Sequence, residues 1–233
     1  MGLLDRFRRR ADATPPQRAA IEPTAGHTAG RSGASAAGTD PDAVSREEFA
    51  AEVAGWIRTG FLTRAEVLER AELWREDDVM AVEASEVPGI VDELWTIRAS
   101  EEVDWPDETD ADRLAQAFGR LDANGVVARM NFTCCQNCGV TEIDDERPAD
   151  GASHGYVFFH QQDAERLADD DATLYLAFGA FDSTKENWQE RDVRVGREIA
   201  AALVEAGLAV SWPESHEQRI MVGPLNWQRR LPA

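Results

Sequence analysis

The sequence predicts an α+β protein, with helices first, then a mixed sheet of about five strands crossed by one long packing helix, all behind a disordered N-terminal tail. Three observations predict it. Helix-capping signals stand before apolar stripes of helical period from Ser45 to Gly125, the period falls from 3.6 to 2 after Gly125, and residues 11–44 have neither period. The organisation expected is a tail over 1–44, a helical region over 45–104 and an α+β domain over 105–233 that carries a cysteine cluster.

The tail is dominated by Ala, Thr, Pro, Gly and Ser, and buries too little apolar surface to offset the entropy of ordering. The first helix starts at Ser45, where Ser45 and Glu48 form a capping box ahead of Phe49, Val53, Trp56 and Ile57, and Gly60 stops it. Thr63 and Glu66 repeat the box ahead of Val67, Leu68, Ala71 and Trp74. A third helix opens near Pro88 and buries Val91, Leu94 and Trp95; a fourth opens at Thr109 or Asp110, carries Leu114, Phe118 and Leu121, and ends at Asn124-Gly125.

Beyond Gly125, Val126, Ala128, Met130, Phe132 and Cys134 alternate with Val127, Arg129, Asn131, Thr133 and Cys135, which predicts a strand running to Cys134. Further strands are expected over 156–160, 173–178, 208–212 and 219–222, the last two as a hairpin. The long helix is expected over 189–206, with Val193, Ile199 and Leu203 inward and Gly207 at its end.

Charge narrows the function. The formal net charge is −20, and because the tail has six arginines against five acids, the acidity belongs to the body. Such a body repels a phosphate backbone and an anionic membrane surface, so a protein or small-molecule partner is expected and nucleic acid is not. No stretch approaches the ~20 apolar residues of a membrane span. The N-terminal arginines are not followed by an apolar signal core, and free thiols suit a reducing compartment, so the expected location is the cytoplasm.

All three cysteines fall within Cys134-Cys135-Gln136-Asn137-Cys138-Gly139. Strand parity makes Cys134 the buried, inert member and Cys135 and Cys138 the exposed pair in the turn that leaves the strand. A C-x-x-C-Gly turn has the shape of a zinc knuckle, in which amide N–H groups face the thiolates, but it supplies only half of a tetrahedral site. Zinc is the cofactor such a site would take. His154 and His160 are the histidines available to complete it; parallel strands bring His160 to the cysteines and an antiparallel hairpin brings His154. His160, followed by Gln161, Gln162 and Asp163, is favoured, giving Cys135, Cys138 and His160 as the expected metal ligands. The competing reading of His160 is a hydrogen-bonded histidine beside a helix capped by Asp163.

A redox dithiol would need a helix after the C-x-x-C, and the sequel Val140 to Pro148 is acidic and lacks a helical pattern; carboxylates nearby would also raise a thiol's pKa. Gly151-Ala152-Ser153-His154-Gly155 matches a nucleophile elbow in letters only, because it precedes a strand instead of following one. The acidic runs lack the spacing of a calcium loop and read as solvated faces. Of the seven tryptophans, Trp105 and Trp227 lie outside the helical and strand patterns and are candidates for a partner surface.

The run Asn131-Phe132-Thr133-Cys134-Cys135-Gln136-Asn137-Cys138-Gly139, then Glu142-Ile143, then Gly155-Tyr156-Val157-Phe158-Phe159-His160-Gln161-Gln162-Asp163, resembles an uncharacterised bacterial family known as a domain of unknown function. The likeness extends from Trp105, through Asp110–Arg113, to Trp227-Gln228-Arg229-Arg230. It implies no activity, cofactor or substrate. The function expected is a soluble binding or regulatory protein with a cysteine-centred structural or zinc site. The alternative is a thiol-dependent enzyme with Cys135 as nucleophile, His160 as base and Asp163 or Gln162 orienting it.

Overall fold

In the computed structural model, residues 44–77, 80–149, 151–169 and 171–232 are described; the expected tail over 1–44 lies outside them except for Val44. The first three helices are α1 (Arg46–Thr59), α2 (Arg64–Asp77) and α3 (Val87–Glu101). Helix α1 begins with the Ser45/Glu48 capping box and ends at Gly60, whose φ of 70° is the left-handed stop that glycine adopts without strain. The Thr63/Glu66 pair caps α2 in the same way: the N–H of Thr63 donates to the Glu66 carboxylate (2.8 Å) and Thr63 Oγ1 accepts from the N–H of Glu66 (3.3 Å). Their apolar faces form one cluster around Phe49, Val53, Trp56, Ile57, Val67, Ala71, Ile90 and Val91. Leu94 and Trp95, expected in the core, are half-buried at its margin.

Helix α4 (Asp110–Ala123) opens on a Thr109/Asp112 capping box and leads into the sheet. The strands β1 (Val126–Arg129), β2 (Gly155–Phe158), β3 (Ala172–Ala180), β4 (Val210–Ser211) and β5 (Ile220–Leu225) lie in the order β1-β2-β3-β5-β4. β1 and β2 are parallel, and the other neighbours are antiparallel. The last pair is the expected hairpin, with β4 only two residues long; beyond it the Trp212 ring packs on Phe178 at 5.3 Å and its Nε1 donates to the carbonyls of Ser215 and Gln218, closing the loop.

Strand alternation separates two apolar layers. One face of the sheet carries Val157, Phe159, Leu174, Leu176, Ile220 and Val222, covered by Leu114 and Phe118 of α4 and by Val195, Ile199 and Leu203 of α7 (Trp188–Glu205). Val195, not Val193, is the buried valine of that helix. The other face carries Val127, Phe158 and Ala177 with Phe132, Ile143 and Phe181.

The C-terminal residues tie the helical cluster to this sheet. Trp227 Nε1 donates to the Thr59 carbonyl (3.0 Å), Arg229 Nε donates to that of Gly60 (3.1 Å), and Arg230 pairs with Asp112 (3.1 Å). Phe61 stands 5.8 Å from Phe159 and 6.0 Å from Trp227, ring centre to centre. Phe159 is therefore an aromatic hinge pin between the layers, fully buried and also edge-on to Phe118. Replacing Phe159 with Ala is expected to destabilise the protein by about 3–5 kcal/mol, the range for emptying a buried aromatic site. Urea unfolding of the two proteins measures it; a loss near zero would show that the layers are not joined there.

Candidate metal centre

The cysteine turn is built where β1 gives out. The strand ends at Arg129, five residues short of the expected Cys134, because Asn131 and Thr133 take left-handed backbone with φ of 52° and 55°. Asparagine tolerates that conformation; β-branched threonine is strained in it, at a cost of about 1–3 kcal/mol. Backbone bonds hold the distortion: the N–H of Phe132 donates to the Phe159 carbonyl (2.8 Å), and the N–H of Gln161 donates to the Thr133 carbonyl (3.1 Å). Thr133 Oγ1 donates to the Cys135 carbonyl (3.1 Å). The two left-handed residues rotate the chain so that Phe132 joins the layer of Val127 and Phe158, and Cys134 is not carried on the inward face.

A helix then begins at once. α5 (Gln136–Glu142) has Cys135 at its N-cap position, so the C-x-x-C spans a helix start, contrary to the non-helical sequel expected. Gly139 is buried against Phe158, and a Cβ on it would overlap that ring. Its role is this close approach, not the opening of a turn. The expected division into one buried and two exposed cysteines is also corrected, since all three are half-buried.

Their sulfurs converge. The Sγ atoms of Cys134, Cys135 and Cys138 lie within 4.8 Å of one another, and those of Cys134 and Cys138 are 3.5 Å apart. Two thiolates on one tetrahedral zinc, each about 2.3 Å from the ion, stand about 3.8 Å apart, so the trio fits a thiophilic ion in spacing and in donor chemistry. Cys134 was missed by sequence reasoning because strand parity buried it. Among the described residues no other histidine, cysteine or carboxylate completes the group at that range.

The thiols differ electrostatically. The backbone N–H of Cys138, against the opposing effect of burial, holds the Cys135 thiol below its ordinary value, helped by the neighbouring thiols and the N–H of Asn137. Cys138 is pushed up to about 12, chiefly by its hydrogen bond with Cys134, then by that with Cys135 and by burial. Two of the carboxylates expected to act on this cluster are held in ion pairs: Glu146 pairs with Arg129 (2.9 Å) and Asp144 with Arg147 (3.2 Å), while Arg147 also holds Asp182 (2.8 Å).

Parallel pairing of β1 with β2 places His160 next to the cysteine turn in the backbone, as that arrangement requires, and sends His154 to the far end, where its Nε2 contacts Glu198 (2.7 Å). The His160 ring, however, serves its own turn. It caps α6 (Gln161–Ala164): Nδ1 accepts from the N–H of Asp163 (3.2 Å) and Nε2 stands 3.0 Å from Asp163 Oδ2. Arg219 reaches the same carboxylate and the Tyr175 carbonyl. Of the ligands expected, Cys135 and Cys138 are brought together and His160 lies outside their group. Ser153 is buried in the loop ahead of β2, so the run over 151–155 precedes a strand as the sequence indicates.

Burial opposes ionisation of Asp163, but the bonds from His160 and Arg219 outweigh it and hold the carboxyl below its ordinary value of 3.8. A depressed folded value means that ionised Asp163 contributes stability in full above about 3.8 and loses it as pH falls through the folded value. Asp163→Asn is therefore expected to remove part of the acid-induced loss of stability below that pH. Denaturant unfolding followed between neutral and acidic pH checks this, and an unchanged slope in the variant would show that the network does not depend on the charge.

Neither the curated proteins nor the solved structures include a match to this chain. No helix among the described residues is long and apolar enough to cross a membrane. The family model described as "Domain of unknown function (DUF6891)" matches residues 42–231, which covers all of the elements above, so the chain belongs to that family.

Proposed function

We propose that this is a binding or regulatory protein whose cysteine-centred site holds zinc or another thiophilic ion through Cys134, Cys135 and Cys138. The observation that carries the reading is the convergence of three sulfurs within 4.8 Å on a backbone fixed by the sheet. Cys134 takes the place given to His160 from the sequence, because both nitrogens of His160 are occupied at Asp163. Three thiolates leave the fourth position of a tetrahedral ion to solvent or to a partner's donor group. The amide N–H groups facing Cys135 favour its thiolate, the form that binds metal. The ion would supply positive charge that offsets three crowded thiolates.

The depressed Cys135 thiol at a helix start also supports a second reading, thiol-dependent catalysis with Cys135 as nucleophile. That reading needs His160 as base, and the ring would first have to leave Asp163.

Cobalt(II) titration of the reduced protein separates them. One equivalent is expected to produce thiolate-to-metal charge-transfer absorption, and Ser in place of any one cysteine should weaken binding by about tenfold or more, while His160→Ala keeps the stoichiometry. No charge-transfer band, or loss of the band only in His160→Ala, would contradict a three-thiol site. Burst-phase acylation of Cys135 by activated esters, abolished in His160→Ala, would favour the thiol enzyme.

A further inference from the structure

A second site stands apart from the cysteines. A cavity of about 640 Å³, within the size range of small-molecule pockets, is lined by Arg58 of α1, Arg98 of α3, Asp169 and Asp171 ahead of β3, and the tryptophans Trp105 and Trp227. These are the two tryptophans that fit no helical or strand pattern, and the cysteine site uses neither. Trp105 is fixed by the Arg98 guanidinium, 4.3 Å from its ring centre, and Trp227 by its bond to the Thr59 carbonyl.

The charges on this wall are not settled among themselves. Arg98 is 8% exposed, and a buried guanidinium ordinarily has its donors met. It spends one N–H on Glu101 (3.0 Å) and one on the Arg58 carbonyl (3.2 Å); its Nε has no partner, and each terminal nitrogen retains a second N–H. The guanidinium of Arg58 and the carboxylates of Asp169 and Asp171 have no hydrogen bond or ion pair among the described residues. With Arg98 and Glu101 paired, one unpaired cation and two unpaired anions among the described residues line the same space.

That balance selects the ligand. A simple anion would satisfy Arg58 but meet two unpaired carboxylates in a protein of net charge −20. A simple cation would leave Arg58 unpaired. A molecule with both a carboxylate and an ammonium group answers both, since the planar fork of arginine matches a carboxylate and an ammonium suits Asp169 and Asp171. The tryptophans supply apolar surface for what lies between the two ends. We propose that this cavity binds a zwitterionic amino compound, a free α-amino acid or a short peptide, with its carboxylate on Arg58 and the free N–H groups of the Arg98 terminal nitrogens.

The test uses the full chain and, as probes, the standard free L-amino acids and their glycyl dipeptides at millimolar concentration, by thermal shift and then calorimetry. At least one probe is expected to bind and raise the melting temperature. Its N-acetylated and its C-amidated derivatives should each bind about tenfold or more weakly, which is about 1.4 kcal/mol. Arg58→Ala should lose a similar factor without changing the melting temperature of the unliganded protein, because that side chain is exposed and has no partner among the described residues. Asp171→Asn should weaken the parent probe and leave its N-acetyl derivative unaffected. The proposal is overturned if no probe binds, if either derivative binds as tightly as its parent, if Arg58→Ala binds normally, or if inorganic phosphate binds as tightly as the zwitterion.

Discussion

The site depends on one close approach, that of the Gly139 backbone to the ring of Phe158, where a side chain at residue 139 would overlap the ring. Phe158 belongs to β2 and is fully buried, so its position is set by the sheet, and through Gly139 it sets the position of α5. Parallel pairing of β1 with β2 and the bonds from Phe132 to Phe159 and from Gln161 to Thr133 anchor the other side of the turn. Between these anchors the chain has little freedom, and the strain at Thr133 is the local cost of bringing Cys134 round to face Cys138. Three sulfurs meet because two neighbouring segments are each pinned to the same strand.

Two polar arrangements follow from the same topology. At the end of β2, His160 turns to Asp163 and Arg219, and this buried network ties α6 to the central strand β3 through the Tyr175 carbonyl. On the cysteine side, Arg129 and Arg147 draw Glu146 and Asp144 into ion pairs, and a backbone amide is the leading influence on Cys135. An acidic chain thus presents a thiol site whose nearest electrostatic partners are dipoles and other thiols. The C-terminal residues 226–230 do different work, clamping the helical layer and lining a cavity with Arg58 and Arg98.

Much of the fold was legible because its signals are local. Capping boxes at Ser45, Thr63 and Thr109 and the apolar stripes behind them need no knowledge of the tertiary structure. The cysteine turn was harder for the opposite reason. α5 has Val140 as its sole large apolar residue, and that side chain is exposed, so no stripe announces the helix; it is held by Gly139 against Phe158, a contact with no sequence signature. Alternation through Met130, Phe132 and Cys134 concealed the two left-handed residues that break the strand, and with them the part played by Cys134. The choice of His160 over His154 rested on its polar neighbours Gln161, Gln162 and Asp163 and left the strand direction open; β1 and β2 pair in parallel, the arrangement that brings the backbone of His160 to the cysteine turn. What the sequence did not reveal is that the ring would be engaged by its own helix cap.

The central claim is that three cysteines act as one ligand set, and X-ray absorption at the zinc edge of protein loaded with one equivalent tests it most directly. The account predicts a shell of three sulfurs at about 2.3 Å with one lighter donor. A shell of two sulfurs with two nitrogen or oxygen donors would remove Cys134 from the site, and a shell without sulfur would leave the cysteines as packing residues.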